Sequence, residues 1–253
     1  MTLLPHGARS EYLDLDGGRV RVLRGGSADA PPLLLVHGGS NDNAAISWYR
    51  MFTEFGSDHS VIAPDLPGFG GTVGIEPLGG PAAQADFLSR LLSGLGVERA
   101  VVAGVSMGGD VALNLARRHP DRVRALVLIA PGGLGDRVGN RFTHRAAWWA
   151  ARMPDPLLLR FSALANRFVG LALRAVVHDV STMPPEVVAE FRREGAVPAP
   201  RWDTSATTRP TSAPTGCATT SCPWSGRSAP PRSSSTARGT RSCRSGVPGG
   251  PPS

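Results

Sequence analysis

Val101-Val102-Ala103-Gly104-Val105-Ser106-Met107-Gly108-Gly109 is the stretch that decides how the chain is read. A β-branched apolar run ends in G-x-S-x-G, and a helical pattern follows at once. Such a strand–turn–helix, the nucleophile elbow, holds a serine on a tight turn with its Oγ exposed. Gly104 and Gly108 flank Ser106 where a side chain would collide with a neighbouring strand or helix. Met107 opens the helix, so its backbone N–H has no helical partner and can point at an oxyanion. The same letters also fit a strand–turn–helix with an incidental serine, so the flanking sequence has to decide.

Upstream, residues 11–16 and 19–24 alternate around Asp16-Gly17-Gly18, the pattern of an antiparallel hairpin. Pro31-Pro32 introduces Leu33-Leu34-Leu35-Val36, a continuous apolar run suited to a central strand buried on both faces. It ends in His37-Gly38-Gly39-Ser40, and a helix is expected around 46–55. A strand at 60–63 runs into Asp65-Leu66-Pro67-Gly68-Phe69-Gly70. Residues 82–95 form an amphipathic helix through Ala85, Phe87, Leu88, Leu91 and Leu92.

Downstream, residues 107–118 make the helix out of the turn, and Pro120 ends it. Residues 124–130 (R-A-L-V-L-I-A) read as another buried strand, closed by Pro131-Gly132-Gly133. Strands alternating with helices predict an α/β fold with a mostly parallel, doubly wound sheet. Ser106 then stands at the carboxyl end of a strand, where open α/β sheets bind ligands.

The division expected is a core over 1–135, a helical cap or lid over 136–200 and a tail over 201–253. The middle part reads as helices at roughly 141–152, 155–176 and 185–194. Trp148, Trp149, Phe161, Leu164, Phe168, Leu171 and Leu173 recur there at helical spacing. Amphipathic packing against the sheet explains that stripe; so does a cap whose inner face lines an apolar pocket.

The formal charge of +7 does not mark a nucleic-acid-binding protein. Residues 1–200 are nearly balanced, with 20 Arg against 19 acidic residues, and the chain has no Lys. The excess lies in residues 201–253, with 7 Arg and 1 Asp. Cys217, Cys222 and Cys243 also lie there, without metal-ligand spacing, so no metal site is expected. Met1 to Ser10 lacks the apolar core of a signal peptide, and no apolar run approaches the ~20 residues of a membrane span. The expected location is cytoplasmic, with neither membrane nor nucleic acid as a partner.

Four motifs in order carry a resemblance to the α/β-hydrolase fold family. They are L-L-L-V-H-G-G-S (33–40), A-P-D-L-P-G-F-G (63–70), G-V-S-M-G-G (104–109) and R-V-R-A-L-V-L-I-A-P (122–131). The helical stretch from about 139 looks like the family's cap. The resemblance implies Ser106 as nucleophile and an oxyanion hole from the backbone N–H groups of Met107 and Gly39. It implies a loop-shaping role for His37, with Gly38 letting the backbone approach the substrate. Asp65 is expected to orient its loop rather than act as an acid. The S-M-G-G form with a helical cap looks most like the carboxylesterase and C–C bond hydrolase branch. Epoxide hydrolases and haloalkane dehalogenases of the family place Asp where Ser106 stands. The implied substrate is a small apolar acyl or ester compound, with no metal or organic cofactor.

The tail departs from that pattern. A triad of this order needs an acid and then a histidine after the serine. Residues 201–253 contain no His, Leu, Ile, Phe, Met or Tyr, but 11 Ser, 9 Thr and 8 Pro. On composition this segment is disordered. It also reads as the right gene in the wrong frame. Joining the third base of each codon to the next two makes Arg232-Ser233-Ser234-Ser235 yield three NTC codons, all apolar. The shifted string that ends at Ser245 is compatible with A-P-T-L-V-V-H-G-T-R-D-P-L-V-P-V, the family's acid-bearing strand and loop. The frame change is placed between about residues 194 and 202.

Two readings follow. One is a serine hydrolase acting on an ester or similar activated carbonyl. The other is a catalytically dead remnant that lacks the acid, the histidine and the last strands. His119, His144 and His178 are weak substitute bases, and Asp136 is a weak substitute acid.

Overall fold

The computed structural model describes residues 2–134, 145, 149, 173 and 177–196. The tail at 201–253 and the expected helices at 141–152 and 155–176, apart from residues 145, 149 and 173, lie outside the described residues. The described residues all belong to one compact unit, Met1–Cys222.

Strand β1 (Ala8–Leu15) and β2 (Gly18–Gly25) form the expected hairpin. Asp16 and Gly17 both take positive φ, 53° and 80°, which suits a tight turn matched to the strand twist. Then follow β3 (Pro32–Val36), α1 (Ala44–Ser47), α2 (Met51–Phe55), β4 (Ser60–Pro64), α3 (Pro81–Gly94), β5 (Ala100–Val105), α4 (Met107–Arg118) and β6 (Val123–Ile129). The expected single helix at 46–55 is two short helices. Trp48 leaves helical geometry at φ −120°, ψ 19°, which ends α1 one turn before α2 begins. The last described helix, α5 (Pro185–Ala196), occupies the third helical segment of the middle region.

The six strands lie in the order β1-β2-β4-β3-β5-β6. β2 runs antiparallel to β1 and β4, and the four strands β4, β3, β5 and β6 are parallel. The sheet is α/β, mostly parallel and wound in both directions from β3.

Alternation along the strands divides the core into two layers. Leu34, Val36, Ile62 and Val102 pack with Phe87, Leu88, Leu91, Val111 and Leu115 of α3 and α4. Leu33, Leu35, Val61 and Ala103 pack with Ala44, Ala45, Trp48 and Phe52 of α1 and α2. Each of these residues of β3, β4 and β5 therefore has a helix over it, which is why those runs read as continuous rather than alternating.

β6 does not meet the expectation of a buried strand. Val123, Leu126 and Leu128 pack on the α3/α4 side, but Val127 and Ile129 on the other face are 47 % and 45 % exposed. β6 hydrogen-bonds to β5 alone among the described strands, and α1 and α2 do not extend over its second face.

Candidate active site

The sheet brings the loop after β3 and the turn after β5 together. Val36 pairs with Gly104, so the two neighbouring strands end at the same level. The winding reverses between them, which opens a crevice at their carboxyl ends.

Ser106 occupies that crevice edge. It is exposed, with φ 54° and ψ −117°, a conformation that L-residues rarely adopt. Its backbone is held on both sides: its N–H donates to Ile129 O at 3.0 Å, and its carbonyl accepts Gly132 N–H at 2.8 Å. The flanking glycines are sterically required. A Cβ on Gly104 would lie 2.2 Å from the Gly108 carbonyl oxygen, and one on Gly108 would lie 2.2 Å from that of Val36. The turn is thus wedged against both β3 and its own helix.

The β3 loop packs directly on this turn. A Cβ on Gly38 would lie 3.7 Å from Ser106 Cβ, and one on Gly39 would lie 3.4 Å from Met107 Cβ. The amides of Gly39 and Met107 donate to no protein acceptor among the described residues. Ser106, Gly38, Gly39 and Met107 are therefore neighbours, drawn from two strands far apart in sequence.

Buried His37 ties this loop down. Its Nε2 accepts Leu66 N–H at 3.0 Å, so Nδ1 carries the hydrogen and donates to Gly38 O at 2.7 Å. The ring also meets Phe69 edge-on at 5.0 Å.

Asp65 is buried and fully engaged. Its carboxylate accepts Ala44 N–H at 2.9 Å and Gly71 N–H at 2.7 Å, and pairs with buried Arg21 at 3.2 Å. It fastens α1, the β4 loop and β2 to one another.

Two features were not singled out in the sequence. Asp42 accepts Gly38 N–H and Asn43 N–H, each at 2.8 Å, and the Ser47 hydroxyl. Burial pushes its carboxyl above the ordinary value, against the pull of His37 and of these hydrogen bonds. Asn43 caps α1 through Ile46 N–H at 3.0 Å and donates to both Glu190 and Glu194 at 3.1 Å. Arg193 pairs with both glutamates. Burial opposes ionisation of Glu190, but Arg193 outweighs it and its carboxyl lies below the ordinary value; burial lifts Glu194 above it. An acidic residue in a loop signals its charge in sequence, but not its burial or its partners.

The substitute bases fare differently. His119 caps the far end of α4 and bonds Asp86 at 2.7 Å, twelve residues or ~18 Å of helix from Ser106. His178 is exposed in the segment before α5. His144 and Asp136 lie outside the described residues.

This arrangement of sheet and turn defines a class. The chain matches the family model for the α/β hydrolase fold over residues 31–221, and it belongs to that family. It is similar to the dihydrolipoyllysine-residue acetyltransferase component of the acetoin cleaving system of Cupriavidus necator, with 38 % identity over 141 residues, covering 54 % of this chain and 36 % of that protein. It is similar to carboxylesterase YbfK of Bacillus subtilis, with 31 % identity over 134 residues, covering 52 % of this chain and 44 % of that protein. Among solved structures, a Pseudomonas aeruginosa protein described as a candidate epoxide hydrolase superposes with a TM-score of 0.69 at 28 % identity, covering 82 % of this chain and 71 % of that one. The chain spans less than half the length of these curated relatives. No helix among the described residues is long and apolar enough to cross a membrane.

Proposed function

We propose that the chain is a serine hydrolase of the α/β-hydrolase fold, acting on an ester or a similar activated carbonyl of a small apolar compound. The observation that carries this reading is Ser106: exposed, at positive φ, at the carboxyl end of β5 and beside the unengaged amides of Gly39 and Met107. Ser106 Oγ attacks the carbonyl carbon, and a base takes its proton and returns it to the leaving alcohol. In the family's order that base is a histidine, paired with an acid, beyond residue 200, where this chain has no histidine. The carbonyl oxygen becomes an oxyanion, which the Gly39 and Met107 amides stabilise by hydrogen bonds. One such donor is worth about 3–4 kcal/mol of barrier. Collapse expels the alcohol, and water then hydrolyses the acyl-serine. The serine at this position favours acyl chemistry over epoxide opening, which in the family uses a carboxylate nucleophile. The similarity to a carboxylesterase points the same way. The proposed location is cytoplasmic.

A second reading is a catalytically dead remnant. Two observations favour it: the half-exposed apolar face of β6, and the absence of His from residues 201–253. On this reading the tail is translated out of frame, and the acid and histidine lie in the other frame.

Hydrolysis of p-nitrophenyl acetate by the purified chain separates the two. Turnover that disappears in Ser106→Ala supports the hydrolase. Turnover equal in both proteins, or absent from both, supports the remnant. The gene sequence tests the frame: a one-base correction near codons 194–202 should open a frame that encodes a downstream histidine.

A further inference from the structure

The loop between β3 and α1 has to present one particular amide. A trans peptide points its C=O and N–H in opposite directions. His37 Nδ1 holds the Gly38 carbonyl, so it orients the Gly38–Gly39 peptide and turns the Gly39 N–H away from the ring. That alone leaves the loop free to rotate about the preceding residue. The peptide before it, 37–38, is fixed by a different side chain. Its N–H donates to Asp42 Oδ2 at 2.8 Å. The same carboxylate takes Asn43 N–H on its other oxygen and the Ser47 hydroxyl, which anchors it to the start of α1. A Cβ on Gly38 would meet Asp42 Oδ2 at 2.7 Å and Ser106 Cβ at 3.7 Å. Asp42 Oδ2 and Ser106 Cβ therefore both lie close to the Gly38 α-carbon, so the carboxylate that holds the turn is a near neighbour of the serine.

We propose that Asp42 is a positioning residue for the oxyanion-binding turn: its carboxylate locks the 37–38 peptide, so that the Gly39 amide faces the space beside Ser106. This rests on the reading of Ser106 as a nucleophile, but the locking itself can be measured without turnover. Three N–H or O–H groups converge on two oxygens, and only a carboxylate accepts them all. Asparagine is nearly isosteric, yet its NH2 must oppose one of the three donors. Asp42→Asn should thus keep the fold and loosen the turn.

Two measurements on the full chain test this. In amide hydrogen exchange, Asp42→Asn should speed exchange at Gly38, whose N–H the carboxylate accepts, about tenfold while core amides such as Val102 are unchanged. Unchanged exchange at Gly38, or an equal rise at Val102, overturns the proposal. In ester hydrolysis, Asp42→Asn should lower kcat about tenfold with KM within about twofold, the signature of an interaction used only in the transition state. A rise in KM at constant kcat overturns it. If the wild-type chain shows no Ser106-dependent turnover, the hydrolase reading fails and the exchange data alone decide the role of Asp42. If Asp42→Asn does not fold, Ser47→Ala removes one partner of the same oxygen and should show the same changes at about threefold; no change there overturns the proposal.

Discussion

The carbonyl of Ser106 accepts the amide of Gly132 at 2.8 Å, which binds the turn after β5 to the loop after β6. With Ser106 N–H on Ile129, this bond holds the serine at φ 54° from the neighbouring strand. The positive-φ backbone is thus held from β6 and the loop after it, as well as by the turn's own bond from Gly109 N–H to the Ser106 carbonyl.

Ser106→Gly should raise stability, because glycine adopts positive φ without the steric cost borne by a Cβ. The expected gain is about 1 kcal/mol in urea denaturation, together with loss of any Ser106-dependent ester hydrolysis. A destabilised Ser106→Gly protein would show that the backbone at this turn is not strained.

Asp65→Ala should be strongly destabilising, by about 3–5 kcal/mol, because it strands the buried Arg21 guanidinium and two backbone amides. Equilibrium denaturation measures it. A loss below about 1 kcal/mol would mean that the ion pair is solvated in solution.

Acid should weaken the chain partly through Asp86. Hydrogen bonding to Arg118, helped by His119, lowers its carboxyl from the ordinary 3.8 to about 2. A carboxylate with a depressed folded-state pKa stabilises the fold above its unfolded pKa. That contribution is therefore present above about pH 4 and is lost as pH falls through about 2. The Asp86 carboxyl carbon, followed by NMR, should titrate near 2 in the wild type and move up toward the ordinary value in Arg118→Ala, where only His119 still holds it down. Equal midpoints in both proteins would disprove the coupling.

Most strands and helices were legible because local pattern and tertiary role agree. Leu33–Val36 reads as buried on both faces, and both faces are covered. The G-x-S-x-G and His-Gly-Gly motifs were legible as turns because glycine is needed where backbones touch. The break between α1 and α2 was not legible, since the apolar spacing continues through Trp48. The half-exposed face of β6 was hidden for a related reason: an apolar strand looks the same in sequence whether or not a neighbour covers it.

By itself the sequence determined the α/β alternation, the glycine-framed serine and the polar, histidine-free tail. These are local properties, set by periodicity, turn chemistry and composition. Only the tertiary structure decided what lies beside Ser106. The β3–β5 register places Gly38 and Gly39 against it, although nearly seventy residues separate them. It also decided that the half-buried Asp42 reaches back to the Gly38 amide while His119 is held at the far end of α4. Neighbours of this kind are fixed by strand pairing and by burial, which depend on the whole sheet and are not written in any one segment.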